Sequence, residues 1–270
     1  MEYLIILTLG FAPGIFWLWY IYQKDKYDPE PKGLIIKTFF YGILVAFPVV
    51  LIETGIHISD MFSLIIVAPI VEELAKYLVV KKTVYRSFSF NEPVDGVVYA
   101  SAAALGFAAI ENFGYLWKGY SSADGTSSPV ESAAYIFLLR AFLSVPGHAL
   151  FSSAWGFALG WAKSLPSENQ AQRTSIVRKG ILIAILVHSL FNMLAQFNSF
   201  LGLFSALGFL ILMFFLWRGF NRRIELALMN SPFNPQHSPA IAAASTEVNS
   251  APDTDNSAMN ENEGPLDETA

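Results

Sequence analysis

Two adjacent carboxylates, Glu72 and Glu73, and the ammonium of Lys76 stand inside an apolar run over residues 61–80. A run of that length crosses a bilayer as a helix. Carboxylates at bilayer depth are costly, so function is the default reason for their presence. On a helix the two glutamates point about 100° apart and meet one cavity unequally. Lys76 lies four residues beyond Glu72 and three beyond Glu73, within pairing reach of either. A neutral Glu–Lys pair that only packs helices accounts for one glutamate and leaves the second over.

Other polar groups lie at comparable depth in later apolar runs. Glu111 and Asn112 sit in GFAAIENFGY, among small residues (Ala104, Gly106, Ala108, Ala109, Gly114) that let helices approach closely. His148 follows the Pro146-Gly147 break, with Ser152, Gly156 and Gly160 at four-residue steps behind it. Arg140, two turns earlier, either snorkels outward or pairs with a glutamate. Asp95 opens its helix and reads as an N-cap or loop partner. His188 and Asn192 share one helix face at i, i+4. Each of these groups alone has a plain role as an interhelical hydrogen bond. At ~1.5 Å rise per residue, Glu72, Glu73, Glu111, His148 and His188 can together fall within a slab about 10 Å thick. Carboxylates and imidazoles at one depth activate water, directly or through a bound metal. Neutral imidazole with carboxylate suits Zn2+ or another divalent ion. An asparagine one turn from His188 can hydrogen-bond a developing oxyanion. That chemistry is hydrolysis inside a membrane.

The elements that must hold these groups follow from composition. Hydrophobic residues make up 54% of the 270-residue chain and charged residues 14%, with mean hydropathy +0.44. This predicts an all-α polytopic membrane protein. Apolar runs over 3–22, 33–56, 61–80, 94–117, 132–162, 180–197 and 200–217 predict seven transmembrane helices. The number becomes eight if Pro146-Gly147 divides the fifth into an entry helix and a span from His148. The first run lacks a basic n-region and a small-residue cleavage site, and so reads as an anchor. Thirteen Lys and Arg fall on alternate loops and the C-terminal flank, against Lys118 alone on the other side. This places the N-terminus outside and the C-terminus in the cytoplasm. The net charge of −5 belongs largely to the end of the chain, where seven acids and no Lys or Arg follow Asn230. Residues 1–229 thus form the membrane-embedded domain, and 230–270 a disordered acidic cytoplasmic tail. There is no cysteine, which excludes disulfides, thiolate metal sites and cysteine nucleophiles. Nothing points to nucleic acid.

HExxH and GxSxG are absent, and so is the pair of membrane aspartates that an aspartyl mechanism requires. EELAK around Glu72, EPVDGVVYA leading into GFAAIEN, His148, HSLFN around His188 and the early YDPEPKG loop resemble the PrsW family of membrane proteases. The similarity runs from about Tyr20 to Asn192. That family is related to the CAAX-protease and bacteriocin-processing superfamily, whose motifs are EExxxR, FxxxH and HxxxN. Here the first reads EExxK with Lys76, the second FxxxE with Phe107 and Glu111, and the third is kept as His188 and Asn192.

The resemblance implies a membrane-embedded endopeptidase with residues 1–229 as its protease domain, in the cell inner (plasma) membrane. Its substrates would be membrane proteins such as an anti-sigma factor. It implies Glu72 or Glu73 as the water-activating base, and Glu111 and His148 completing an acid/base or metal site. His188 and Asn192 would stabilise the tetrahedral intermediate, supported by Lys76 and Asn112. Candidate metal ligands are Glu73, Glu111, His148 and His188. A carboxylate at position 111, where relatives in the superfamily carry histidine, favours a cation or a proton shared between two acids. Metal-dependent and metal-free glutamate mechanisms both stay open. A non-catalytic scaffold and an ion-coupled transporter are the other classes with such polar groups. A scaffold has no need of water-activating groups, and a transporter usually shows paired interrupted helices.

Overall fold

The computed structural model describes residues 2–55, 60–121, 128–197 and 202–237. The chain divides into two compact units, Met1–Pro232 and Phe233–Ala270. In the second, the described residues hold one 3-10 turn at Pro235–His237, and the expected tail lies from residue 238 onward outside the described residues. The first unit is helical, with no strand among the described residues. Its helices are α1 (Glu2–Tyr22), α2 (Lys32–Gly55), α3 (Asp60–Phe62), α4 (Ala68–Thr83), α5 (Pro93–Ser121), α6 (Pro129–Leu139), α7 (Val145–Ser164), α8 (Gln170–Gln196) and α9 (Leu203–Met229).

Among the described residues, six stretches are long and apolar enough to cross a membrane: α1, α2, α5, the continuous Pro129–Ser164, α8 and α9. The expected third span is unbroken helix over residues 60–83, but Glu72, Glu73 and Lys76 at its centre set it apart from those six. The outer faces carry large apolar side chains, among them Phe16, Ile36, Phe47, Phe142, Leu186 and Phe214. Glu72, Glu73 and Lys76 of α4 face inward. This is the arrangement expected when lipid replaces water as solvent.

At the centre stands α5, buried over 94% of its most apolar 18-residue window, against 22–44% for the other five. Its Ala- and Gly-rich sequence is the cause, because small side chains let neighbouring backbones close in from every side. The small-residue stripe of α7 meets it directly. A Cβ on Gly96 would lie 2.1 Å from the Gly156 carbonyl oxygen, and one on Gly160 would lie 2.3 Å from that of Pro93.

Two helices run longer than their apolar runs predict. α8 begins at Gln170, inside the expected basic loop, because residues 170–179 contain no Gly or Pro and are largely good helix formers. α9 continues to Met229, burying Phe220, Ile224 and Ala227 at i, i+4 and i+7.

The Pro146 break resolves as one continuous helix with a wider turn, not two helices. A π-helical turn at Arg140–Ser144 joins α6 to α7, and a second at Ser63–Val67 joins α3 to α4. Each immediately precedes a proline-bearing helix start, at Pro146 and Pro69. In a π turn the amide donates five residues back, so these prolines orphan the carbonyls of Ala141 and Leu64. A side chain from another helix satisfies each one. Trp17 Nε1 on α1 donates to Ala141 O at 2.9 Å, and Asn192 Nδ2 on α8 donates to Leu64 O at 2.9 Å. Buried backbone with no water to bond needs such partners.

Candidate active site

The two π turns deliver the site. Glu72 lies three residues after Pro69, and His148 two residues after Pro146. α4 contributes Glu72, Glu73 and Lys76, α5 contributes Glu111 and Asn112, α7 contributes His148, and α8 contributes His188 and Asn192. The structure brings Glu72, Glu73, Lys76, Glu111, His148 and His188 into one connected cluster.

Lys76 is the hub. Its Nζ donates to Glu72 Oε2 at 2.9 Å and Glu73 Oε1 at 3.0 Å, and meets His148 Nδ1 at 3.0 Å. It also lies 4.4 Å over the Phe107 ring. Lysine therefore holds both glutamates rather than leaving one free, as the sequence had suggested. An ammonium only donates, so His148 Nδ1 is the acceptor and the ring proton sits on Nε2. That nitrogen lies 2.8 Å from Glu111 Oε2.

Glu73 is fully buried, and its acceptor capacity is spent. Ser152 Oγ at 2.7 Å and Trp155 Nε1 at 2.9 Å donate to Oε2, while Lys76 and His188 Nδ1, the latter at 3.2 Å, reach Oε1. A carboxylate accepts, so the His188 proton is on Nδ1 and its bare Nε2 turns toward Glu72 Oε2, 4.0 Å away. Glu72 receives one hydrogen bond among the described residues, from Lys76. Its direction relative to Glu73 follows from the angular separation of adjacent helix positions.

Two carboxylate–histidine pairs, Glu73–His188 and Glu111–His148, thus flank Glu72, each leaving an unprotonated nitrogen on the Glu72 side. The rings of His148 and His188 are 5.1 Å apart, and Phe151 stacks on His188 at 4.7 Å. Side-chain exposure rises from 0% at Glu73 through 7% at Glu72 to 25% at Glu111, which marks the open edge. There Arg140 Nη2 pairs with Glu111 at 3.1 Å, and Arg140 lies over the Tyr115 ring at 4.0 Å.

A metal is best matched by Glu72, His148 and His188, whose ligand atoms lie within 4.8 Å of one another and which are all buried. This differs from the expected set, which held Glu73 and Glu111 in place of Glu72. The difference arises because Glu73 is saturated by four donors and Glu111 backs His148 from the far side. One carboxylate and two imidazoles, each imidazole oriented by another carboxylate, fit a zinc-type donor set with its supporting shell; an ion there would take His148 Nδ1 from the Lys76 ammonium, which keeps Glu72 and Glu73.

Two expected site residues do other work. Asn192 is committed to Leu64 O rather than to a reacting oxygen. Asn112 Nδ2 donates to Gly10 O at 3.0 Å and Leu9 O at 3.3 Å while its Oδ1 accepts from Arg140 Nε at 3.1 Å, tying α1, α5 and the Arg140 turn together. Replacing Asn192 with leucine is expected to destabilise the protein by about 1–3 kcal/mol, the cost of a buried unsatisfied carbonyl. Thermal unfolding in detergent checks this, and unchanged stability with slowed turnover would return Asn192 to the oxyanion role.

Sequence reasoning missed Trp155 and the part Ser152 plays. Their signal was present, since 148, 152 and 155 share one helical face, but Ser152 read only as a small residue. Glu53 on α2 was missed too. It lies within electrostatic range of Glu72 and Glu111, with a buried Oε1 that has no hydrogen-bond partner among the described residues.

A family profile described as PrsW family intramembrane metalloprotease matches residues 30–218. The chain is 33% identical over 208 residues to Protease PrsW of Geobacillus kaustophilus (strain HTA426), covering 74% of this chain and 85% of that protein. Protease PrsW of Oceanobacillus iheyensis is 34% identical over 203 residues, covering 73% and 86%. Protease PrsW of Bacillus subtilis (strain 168) is 34% identical over 163 residues, covering 58% and 69%. No solved structure matches the chain.

Proposed function

Because this chain belongs to the PrsW family of intramembrane metalloproteases, we propose that its peptide-bond hydrolysis is centred on Glu72, His148 and His188. The protein is an intramembrane protease; the residue roles, the substrate and the orientation are the proposal. The observation that carries it is the bare Nε2 of His188, fixed by Glu73 and turned toward Glu72.

Glu72, His148 and His188 would hold a divalent ion, Zn2+ by donor type. Such an ion supplies Lewis-acid polarisation of the scissile carbonyl and a more acidic water. The chain's own groups do the rest. Glu72 takes the proton of the attacking water, with Lys76 holding its carboxylate in place. Glu72 then gives that proton to the leaving amine, while Glu111 accepts from His148 Nε2 and orients the ring. Glu73 sets the His188 tautomer and touches no substrate. Arg140 holds Glu111 at the entrance.

The substrate enters from the Glu111 side as an extended, locally unfolded segment of a membrane protein. An anti-sigma factor is the substrate type the family resemblance suggests. The enzyme resides in the inner (plasma) membrane with its N-terminus outside and C-terminus cytoplasmic, which the distribution of Lys and Arg supports.

Purified protein tested on a panel of single-span membrane substrates checks the reading. Strong chelation is expected to abolish cleavage, Zn2+ to restore it, and about one metal per chain to co-purify, as a catalytic zinc site requires. Cleavage that persists after chelation, with no co-purifying metal, would remove the ion and leave Glu72 with the two histidines as the whole apparatus.

A further inference from the structure

A second buried polar cluster lies far along α5 from the active site, where the loop after α1 meets the loop before α5. Asp25 and Glu30 come from the first loop, Glu92 from the second, and Asp95 from the first turn of α5. All four are buried, at 4%, 1%, 2% and 0% exposure. Asp25 and Asp95 use part of their acceptor capacity to shape backbone. Asp25 Oδ2 accepts from Glu30 N at 3.2 Å, and Asp95 Oδ2 accepts from Asn91 N at 2.6 Å and Glu92 N at 2.8 Å. The Tyr99 hydroxyl donates to Glu30 Oε2, and the Ser231 hydroxyl approaches Glu92.

The remaining oxygens face one another. Glu30 meets Asp95, and Asp25 meets Glu92, carboxyl to carboxyl. Among the described residues, Asp25 Oδ1, Glu30 Oε1 and Asp95 Oδ1 are buried and face no donor apart from one another's carboxyl groups. Ligand oxygens of Asp25, Glu92 and Asp95 lie within 4.8 Å of one another. Lys163, which acts electrostatically on Asp95 and Glu30, spends its ammonium on the carbonyls of Tyr85 at 2.7 Å and Phe90 at 2.6 Å. Like charges packed this way need a proton or a cation between them. Burial, with neighbouring carboxylates adding to it, raises Asp25 to about 7 and Glu30 to about 8.

We propose that Asp25, Glu92 and Asp95, completed by Glu30, form a structural site for a hard divalent cation, Ca2+ in preference to Mg2+. The donors are all oxygen, which suits hard cations, and their burial leaves little room for the water shell that Mg2+ retains. The bound ion clips the loop after α1 to the start of α5, the helix that presents Glu111 at its other end. It is separate from the Glu72–His148–His188 centre in both ligands and donor type.

Tb3+ luminescence excited through aromatic side chains tests this on the full-length, chelator-treated protein in detergent, since Tyr99 and Tyr22 adjoin the site. Saturable Tb3+ emission is expected, displaced by Ca2+, together with a rise of several degrees in Tm on adding Ca2+. Both responses should be lost in Asp25→Asn and in Glu92→Gln and kept in Glu72→Gln. Should those two variants fail to fold, wild-type emission that Ca2+ cannot displace, or that Glu72→Gln abolishes, overturns the site. Folded Asp25→Asn and Glu92→Gln proteins that keep both responses also overturn it. So does a wild-type protein that gains its full Tm on mild acidification and nothing further from Ca2+, which would make the cluster a set of shared protons.

Discussion

Replacing Glu72 with glutamine is expected to lower kcat by about 10²–10⁴-fold, the usual worth of a positioned general base, while the protein stays folded. The reason for intact folding lies in the Lys76 contact. Lys76 Nζ donates to Glu72 Oε2, and a glutamine carbonyl oxygen accepts that bond equally well. The amide cannot take a proton from water. The matching change at Glu73 is expected to act differently. Glu73 receives Ser152, Trp155, Lys76 and His188, and a glutamine there turns an NH₂ toward donors. Glu73→Gln should therefore lose thermal stability first and activity as a consequence. Steady-state kinetics and unfolding on both variants separate the two outcomes. Full activity in Glu72→Gln would move the base to another carboxylate, with Glu111 the next candidate because it is the most exposed acid of the cluster.

Lys76→Met is the second large effect. The ammonium is fully buried and bonds to two buried carboxylates and an imidazole. Removing one partner of a buried ion pair strands the other charges, at a cost of about 3–5 kcal/mol. The double variant Lys76→Met, Glu72→Gln should lose less than the sum of the two singles, because one stranded charge is gone. Unfolding in detergent reads both. A Lys76→Met protein that unfolds at the wild-type temperature would show that the ammonium is not the hub.

Much of the fold was legible because a bilayer imposes simple rules. Each span must satisfy its own backbone hydrogen bonds, so apolar runs translate directly into helices. The family resemblance, and with it the protease activity, rested on short motifs whose order along the chain is itself the signal. Helix ends were harder to read. Apolar runs report where lipid lies and not where hydrogen bonding stops, so α8 and α9 extend well past their expected limits.

By itself, the sequence determined the class of the protein, the helices that carry its polar groups, and the identity of those groups: Glu72, Glu73, Lys76, Glu111, His148 and His188. Tertiary structure decided what each one faces. Helical periodicity gives the angle between Glu72 and Glu73 but not which neighbour stands at each angle. Only the packing of α7 and α8 against α4 commits Glu73 to Ser152, Trp155 and His188. The orphaned carbonyl that claims Asn192 exists because of a π turn, and the partner is 128 residues away. Opposing Glu30 to Asp95 takes the same kind of meeting between distant segments. Such pairings depend on three-dimensional closure, in which one orphaned carbonyl or one saturated carboxylate redirects a side chain that the local pattern leaves free.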